Sequence, residues 1–132
     1  MATLGLNHYN LRASRELLAE IKDFYCEVIG LVPGPRPPFR FPGHWLYAGD
    51  TAVLHLVEVP ESETRSAHVS GTFDHVAFTC TEPGKTAAHL EKLGIPFQKA
   101  VVPATRSVQY FLKDPAGNGV DLNFNDGLDA AS

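Results

Sequence analysis

Two copies of one short pattern decide the fold of this chain. The letters LNHYNL at residues 6–11 return 67 residues later as FDHVAF at residues 73–78. Three further segments recur in the same order at offsets of 64 to 66 residues: 28–31 with 92–95, 48–50 with 112–114, and 53–56 with 119–122. Chance similarity would not keep one order and one spacing over four segments. The chain is therefore predicted to contain two equivalent modules, residues 1–60 and 72–125, joined by the polar residues 61–71.

Each module is predicted to begin with a strand and a helix. Alternating apolar residues indicate first strands at 6–11 and 73–79. Ser14 is a suitable N-cap for the first helix, whose apolar residues recur at helical spacing up to Gly30. Pro83 suits the first turn of the second helix, and Gly94 ends it.

Further strands are predicted at residues 44–47, 52–59, 108–112 and 119–124, with a hairpin turn at 114–119. Residues 33–43 contain five prolines, so they are predicted to form an ordered loop or a broken edge strand. The chain is thus an α+β protein, a single domain over 1–132 made of two βαβββ modules.

Composition excludes several classes of function. The net charge of −4 and the absence of a basic cluster argue against nucleic-acid binding. No run of 18 apolar residues is present, and the N-terminus lacks the pattern of a signal peptide, so a cytoplasmic protein without membrane contact is expected. Cys26 and Cys80 form no Cys-x-x-Cys pair and are predicted to be reduced and buried.

Four potential metal ligands stand at equivalent positions of the repeat. His8 and His75 lie on the first strands, and His55 and Asp121 on the last strands. Because alternate residues of a strand share a face, pairing of the two modules would bring all four to one cavity. Imidazole and carboxylate suit a divalent ion, whether Fe, Zn, Ni, Co or Mn. His55 is either a fourth ligand or a group that contacts substrate.

The proline-rich segment combines cationic and aromatic side chains. Arg36, Phe39, Arg40 and Phe41 suit a carboxylate or a planar anionic substrate. The other interpretation is a rigid loop with solvated arginines and rings packed on the core. Arg36, Phe39 and Arg40 are therefore candidate substrate-binding residues.

The motifs at residues 6–8, 24–31, 73–78 and 114–122 resemble the vicinal oxygen chelate superfamily of glyoxalases, bleomycin-resistance proteins and extradiol dioxygenases. The resemblance covers residues 4–125. It implies half-barrel sheets that form a metal-binding cavity, with His8 and His75 as ligands. Asp121 stands where the family usually has a glutamate. His55 stands where glyoxalase I has a glutamate ligand and methylmalonyl-CoA epimerase a glutamine, so His55 and Asp121 are the candidates for a catalytic base.

Two aromatic residues enter through the same resemblance. Extradiol dioxygenases commonly have a tyrosine ten residues before the carboxylate ligand, and this chain has Phe111 there. At the repeat offset of 64 its counterpart is Tyr47, which is expected to face the same cavity. Tyr47 and Phe111 complete the candidate substrate-binding set.

The resemblance leaves three functions open. The leading one is a metal-dependent lyase or isomerase of glyoxalase type, which chelates a small oxygenated substrate and transfers a proton with His55 as base. The second is a non-haem Fe(II) dioxygenase that cleaves a catechol-like ring, and the third is a drug-binding resistance protein without activity. In this family, small two-module chains typically exchange modules, so a homodimer is expected in which His8 and His55 of one chain face His75 and Asp121 of the other.

Overall fold

The computed structural model describes residues 1–125. The chain divides into two compact units between Ser66 and Ala67, a point inside the polar segment that was expected to join the modules. No helix in residues 1–125 has the length and apolar character needed to cross a membrane.

The first unit contains one helix and a four-stranded sheet. Its elements are β1 (Tyr9–Ala13), α1 (Arg15–Phe24), β2 (Val32–Gly34), β3 (Gly43–Ala48) and β4 (Thr51–Glu58). The strand order is β1-β4-β3-β2, with β1 parallel to β4 and the other pairs antiparallel. Leu46, Leu54 and Leu56 are fully buried on the sheet face that α1 covers.

The boundaries of α1 follow from its caps. The Ser14 hydroxyl accepts a hydrogen bond from the backbone N–H of Leu17 at 3.3 Å, as the sequence predicted. After α1 the chain widens into a π-helical turn, Tyr25–Ile29, and Gly30 ends it in the left-handed region at φ 91°. Leu18, Ile21 and Phe24 are buried along one side of α1.

The first strands of both units begin later than predicted. β1 starts at Tyr9 instead of residue 6, and β5 (His75–Cys80) starts at His75 instead of residue 73. Leu6 remains 84% exposed because the ladder of β1 with β4 begins at the Tyr9–Leu54 pair. The proline-rich segment matches its prediction: only β2 pairs with β3, at the sheet edge, before the chain leaves as a loop.

The second unit repeats the topology of the first. After β5 come α2 (Pro83–Lys92), β6 (Gln98–Val102), β7 (Ser107–Lys113) and β8 (Gly119–Phe124). The order is β5-β8-β7-β6, again with a parallel first pair. The prediction of an α+β fold with two βαβββ modules is confirmed. The location of β6 was not predicted, because the strand lies at an edge and begins with the polar residues Gln98 and Lys99.

The hairpin between β7 and β8 is organised by a buried carboxylate. Asp114, 3% exposed, accepts hydrogen bonds from the backbone N–H groups of Ala116 and Asn118 at 2.9 Å and from the Asn118 side-chain amide at 3.1 Å. Gly117 takes a left-handed φ of 88° within this turn. One side chain therefore satisfies three donors of the turn.

We expect Asp114→Ala to lower the free energy of unfolding by about 3 kcal/mol, because each donor left unsatisfied away from water costs about 1–3 kcal/mol. Asp50→Ala is the matched control: it changes the equivalent but exposed residue of the first unit, and we expect an effect of at most about 0.5 kcal/mol. Urea unfolding followed by circular dichroism measures both. Equal effects of the two substitutions would contradict this account of the turn.

Candidate metal centre

The second unit brings two of the predicted ligands together. His75 opens β5, Asp121 lies on the neighbouring β8, and the His75 Nε2 atom is 3.2 Å from Asp121 Oδ2. Asp121 follows from the alternation of β8: Val120 and Leu122 are buried in the core, so Asp121 projects to the opposite face. The His75 side chain is 44% exposed and that of Asp121 is 14% exposed. The pair is thus accessible from one side.

A third residue fixes the orientation of the imidazole. The Asp74 carboxylate accepts a hydrogen bond from His75 Nδ1 at 2.8 Å. This bond raises the pKa of His75, and the charge of Asp121 raises it further. Burial raises the pKa of Asp121 in spite of the nearby imidazole. With Nδ1 held by Asp74, the Nε2 atom is the one directed at Asp121.

The first unit places His8 and His55 in direct contact. Their rings stack with centroids 3.7 Å apart and planes 15° apart. His8 Nδ1 lies 2.8 Å from the Asn7 side-chain oxygen, so the residue before the histidine orients the ring here as it does at Asp74–His75. The other face of His55 stacks on Trp45, with centroids 4.0 Å apart and planes 8° apart. The three rings form one continuous stack.

The environment of His55 favours its neutral form. Burial lowers the pKa of His55, and the nearby His8 and Arg36 lower it further, while a hydrogen bond with the Ala52 backbone acts in the opposite direction. An imidazole must be unprotonated to accept a proton or to bind a metal. The lowered pKa of His55 therefore favours the form that either role requires.

The donor atoms of His75 and Asp121 fit a divalent ion. Two nitrogen or oxygen ligands at about 2.0–2.2 Å from one ion lie about 3 Å apart, close to the observed 3.2 Å. The carboxylate on Nδ1 is the outer partner that metal-binding histidines commonly have. Within residues 1–125, three or more His, Cys, Asp or Glu side chains do not gather into a single metal-binding group. The structure thus gives two pairs, each in its own unit.

The sequence predicted that Tyr47 is the counterpart of Phe111, but the strand pairing makes Trp45 that counterpart. Phe111 is paired with Asp121 across β7 and β8, and the residue paired with His55 across β3 and β4 is Trp45. A bulge between Leu46 and Ala48 shifts the register, so the offset read from the hairpin does not hold along the whole strand. Tyr47 donates its hydroxyl hydrogen bond to the Pro35 carbonyl, and its ring lies over Gly34.

The proline-rich loop contains a compact cationic and aromatic group. The Arg36 guanidinium carbon lies 4.8 Å from the ring centroid of Phe39 and 5.2 Å from that of Phe41, and these rings stack on each other at 5.0 Å. Arg36 Nη2 donates to the Phe41 carbonyl at 2.9 Å. Arg40 is exposed in the same loop and remains a predicted substrate-binding residue.

Residues 5–122 match the family model of the Glyoxalase/Bleomycin resistance protein/Dioxygenase superfamily. The chain belongs to this superfamily. A plant member, Glyoxylase I 4 of Arabidopsis thaliana, is 30% identical over 123 residues, which cover 89% of this chain and 69% of the plant protein.

Solved structures of the superfamily share the fold. A protein of Bacillus anthracis described as a glyoxalase family member matches with a TM-score of 0.74 at 23% identity, over 96% of this chain and 98% of the other. The fosfomycin resistance protein FosX of Listeria monocytogenes, a mutant complexed with Mn(II) and a dihydroxypropylphosphonic acid, matches with a TM-score of 0.67 at 13% identity, over 93% of each chain. Identities this low bear on the fold alone.

Three residues that contact the candidate histidines were not predicted as site residues from the sequence. Asn7 and Asp74 orient the two histidines, and Trp45 stacks on His55. A signal for the first two was available, because Asn7-His8 and Asp74-His75 are equivalent dipeptides of the repeat. Trp45 was missed because the bulge in β3 shifts the register, so the constant offset of the repeat led to Tyr47 instead.

Proposed function

We propose that the chain is a metal-dependent enzyme of glyoxalase type, a lyase or isomerase that acts on a small oxygenated substrate. In this proposal His75 and Asp121 bind a divalent cation, and His8 supplies a further ligand from an equivalent module. His55 is a fourth ligand or the catalytic base. Membership of the superfamily supports the fold and the class of site, and the remaining argument rests on this chain's own residues.

The observation that carries the proposal is the 3.2 Å approach of His75 Nε2 to Asp121 Oδ2, with Nδ1 held by Asp74. A histidine that serves only in packing has no need of a carboxylate at both nitrogens. Two carboxylates around one accessible imidazole create a local excess of negative charge that a cation would balance.

The proposed chemistry divides between the cation and the protein. Polarisation of a carbonyl or enediolate oxygen is what a divalent cation supplies when bound. His55, whose neutral form is favoured by burial and by the nearby Arg36 charge, would accept a proton from the carbon adjacent to the polarised carbonyl carbon and return it to that carbonyl carbon. Trp45 and His8 fix the plane of the His55 ring from both sides. This stacking limits the directions from which His55 can reach a substrate proton.

A second candidate, the extradiol-type dioxygenase, is favoured by the donor set of two histidines and one carboxylate. The residue paired with the carboxylate is Phe111, which offers no hydroxyl group to a catechol.

A third outcome is a binding protein without turnover. The aromatic stack of the first unit is compatible with it.

Metal analysis and two assays separate these functions. Protein purified without a histidine tag is analysed by emission spectroscopy, then tested for solvent-deuterium exchange into 2-oxo acids and thioesters and for oxygen uptake with catechols. The proposal expects zinc, nickel, cobalt or manganese at about one ion per pair of modules, with exchange and without oxygen uptake. Iron with ring cleavage would replace the proposal by the dioxygenase, and loss of both activities in metal-loaded protein would leave the binding protein.

The orienting residue provides a graded test of the metal site. We expect Asp74→Ala to weaken metal affinity by about 10- to 100-fold, because outer partners of metal-bound histidines have effects of this size. Asn7→Ala makes the equivalent change at His8, and a similar loss there would indicate that both histidines are ligands. Competition with a chromophoric chelator measures the affinities, and unchanged affinity in Asp74→Ala would contradict the role given to Asp74.

The homodimer with exchanged modules is also part of the proposal. We expect sedimentation equilibrium at micromolar concentration to give a mass near twice the 14.4 kDa of the chain. A mixture of His8→Ala chains with His75→Ala chains should then regain some complete sites, because each variant supplies the ligand that the other lacks. A metal-loaded monomer would rule out the exchanged arrangement.

A further inference from the structure

Trp45 contacts two neighbouring rings in two different ways. One face of Trp45 stacks on His55, whereas Phe39 lies with its ring centroid 6.3 Å from that of Trp45 and its plane tilted by 48°. The stacked ring pairs of this unit, by comparison, have centroids 3.7 to 5.0 Å apart and planes within 15° of parallel. Phe39 and Trp45 are therefore not packed face to face but enclose a wedge.

The same Phe39 ring covers an incompletely bonded cation. Arg36 Nε is buried, and it has no hydrogen-bond partner among the described residues. A buried donor without an acceptor is costly, and more so on a charged group. Phe39 is 43% exposed, and side chains at a binding surface commonly change rotamer when a ligand binds. Because Phe39 contacts both residues, a rotation of its ring would give a ligand access to Trp45 and the Arg36 guanidinium together.

We propose that Trp45, Phe39, Phe41 and Arg36 form a binding site for a small aromatic carboxylate, with the arene on Trp45 and the carboxylate on Arg36. A planar guanidinium matches the two oxygens of a carboxylate, and flat rings prefer the offset stacking that Trp45 permits. A Cβ at Gly43 would clash first with the Leu56 carbonyl oxygen and would also lie 3.0 Å from Arg36 Nη2, so a glycine here leaves the space beside the guanidinium free.

The inference deepens the proposed function and depends on it for the catalytic part, because Trp45 is the direct neighbour of His55. It names the substrate as an arene that carries a carboxylate group, with the reacting carbon near the His55 ring. The binding step itself needs no metal. Failure of the metal proposal and failure of this site are therefore distinguishable.

Trp45 is the chain's single tryptophan, which makes its fluorescence a direct reporter. The full-length protein, as purified and again after chelator treatment, is titrated with benzoate, cyclohexanecarboxylate and benzyl alcohol under excitation at a wavelength that only tryptophan absorbs. We expect saturable quenching by benzoate with and without metal, and at least about tenfold weaker binding of the other two, since each lacks one of the two recognised groups.

Substitutions test the assignment of the carboxylate. Arg36→Gln should weaken benzoate by about 10- to 100-fold and leave benzyl alcohol unchanged, and Arg36→Lys should lie between the two because it keeps charge without the fork. Arg15→Gln, which removes the same charge from the exposed start of α1, should bind benzoate like the unmodified protein.

Three results would overturn the inference: equal binding of benzoate and cyclohexanecarboxylate, no saturable quenching, or equal losses of benzoate affinity in Arg36→Gln and Arg15→Gln. The comparison of ligands stands even if Arg36→Gln does not fold.

Discussion

His75→Ala and Asp121→Ala are each expected to reduce metal content from stoichiometric to trace levels while the protein keeps its fold. Either change removes one of two donor atoms that lie 3.2 Å apart, and an ion held by fewer ligands exchanges with solvent. The fold should persist because both side chains project away from the buried core face of their sheet. Emission spectroscopy after gel filtration measures the metal, and circular dichroism the fold.

His89→Ala is the matched control for this pair. His89 belongs to the same unit but lies on α2, outside the proposed site, so its removal should leave metal content unchanged. Full metal occupancy in both His75→Ala and Asp121→Ala would end the metal-site proposal. Loss of metal in the His89 variant as well would point to misfolding rather than to ligand loss.

His55→Ala is expected to lower kcat by about 10²- to 10⁴-fold at saturating metal, the range associated with loss of a general base. Because burial lowers the pKa of His55, the neutral imidazole is favoured at neutral pH, and the second ring proton binds as the pH falls. The acid limb of the kcat/KM profile should therefore lie below pH 6.5, the ordinary histidine value.

His44 supplies the comparison for this experiment. It lies on β3, next to Trp45, and burial lowers its pKa too, but it has no place in the proposed site. His44→Ala should keep kcat within about twofold. A His55→Ala enzyme that retains kcat but loses metal would show His55 to be a ligand and not the base.

The repeat predicted most of the fold, because equal spacing of recurring segments reflects one supersecondary unit used twice. The Ser14 cap, the Gly30 and Gly94 ends and the hairpin at Asp114 follow from short-range chemistry that the sequence displays directly. The proximity of His75 to Asp121 could be predicted in the same way, because the repeat places these residues on the first and last strands of one module, and those strands pair.

The remainder depends on contacts that a repeat offset does not encode. Because of a bulge in β3, Trp45 is paired with His55 and Tyr47 is not. No sequence pattern marks the position of that bulge. The contact of Arg36 with Phe39 and Phe41 joins residues of a proline-rich loop whose path is set by tertiary packing. Edge strand β6 has a mixed polar sequence because none of its residues is fully buried, so the alternation of apolar and polar residues is weak there.

Each sheet closes its hydrogen-bond ladder with strands from one unit only, through the parallel pairs β1–β4 and β5–β8. Backbone pairing in each sheet therefore depends only on strands of its own unit. In evolutionary terms, a duplicated gene divided or recombined at the boundary between Ser66 and Ala67 is expected to keep the strand pairing of each half. The two halves are also free to diverge in the charge beside their histidines, as the neutral Asn7 and the acidic Asp74 already do.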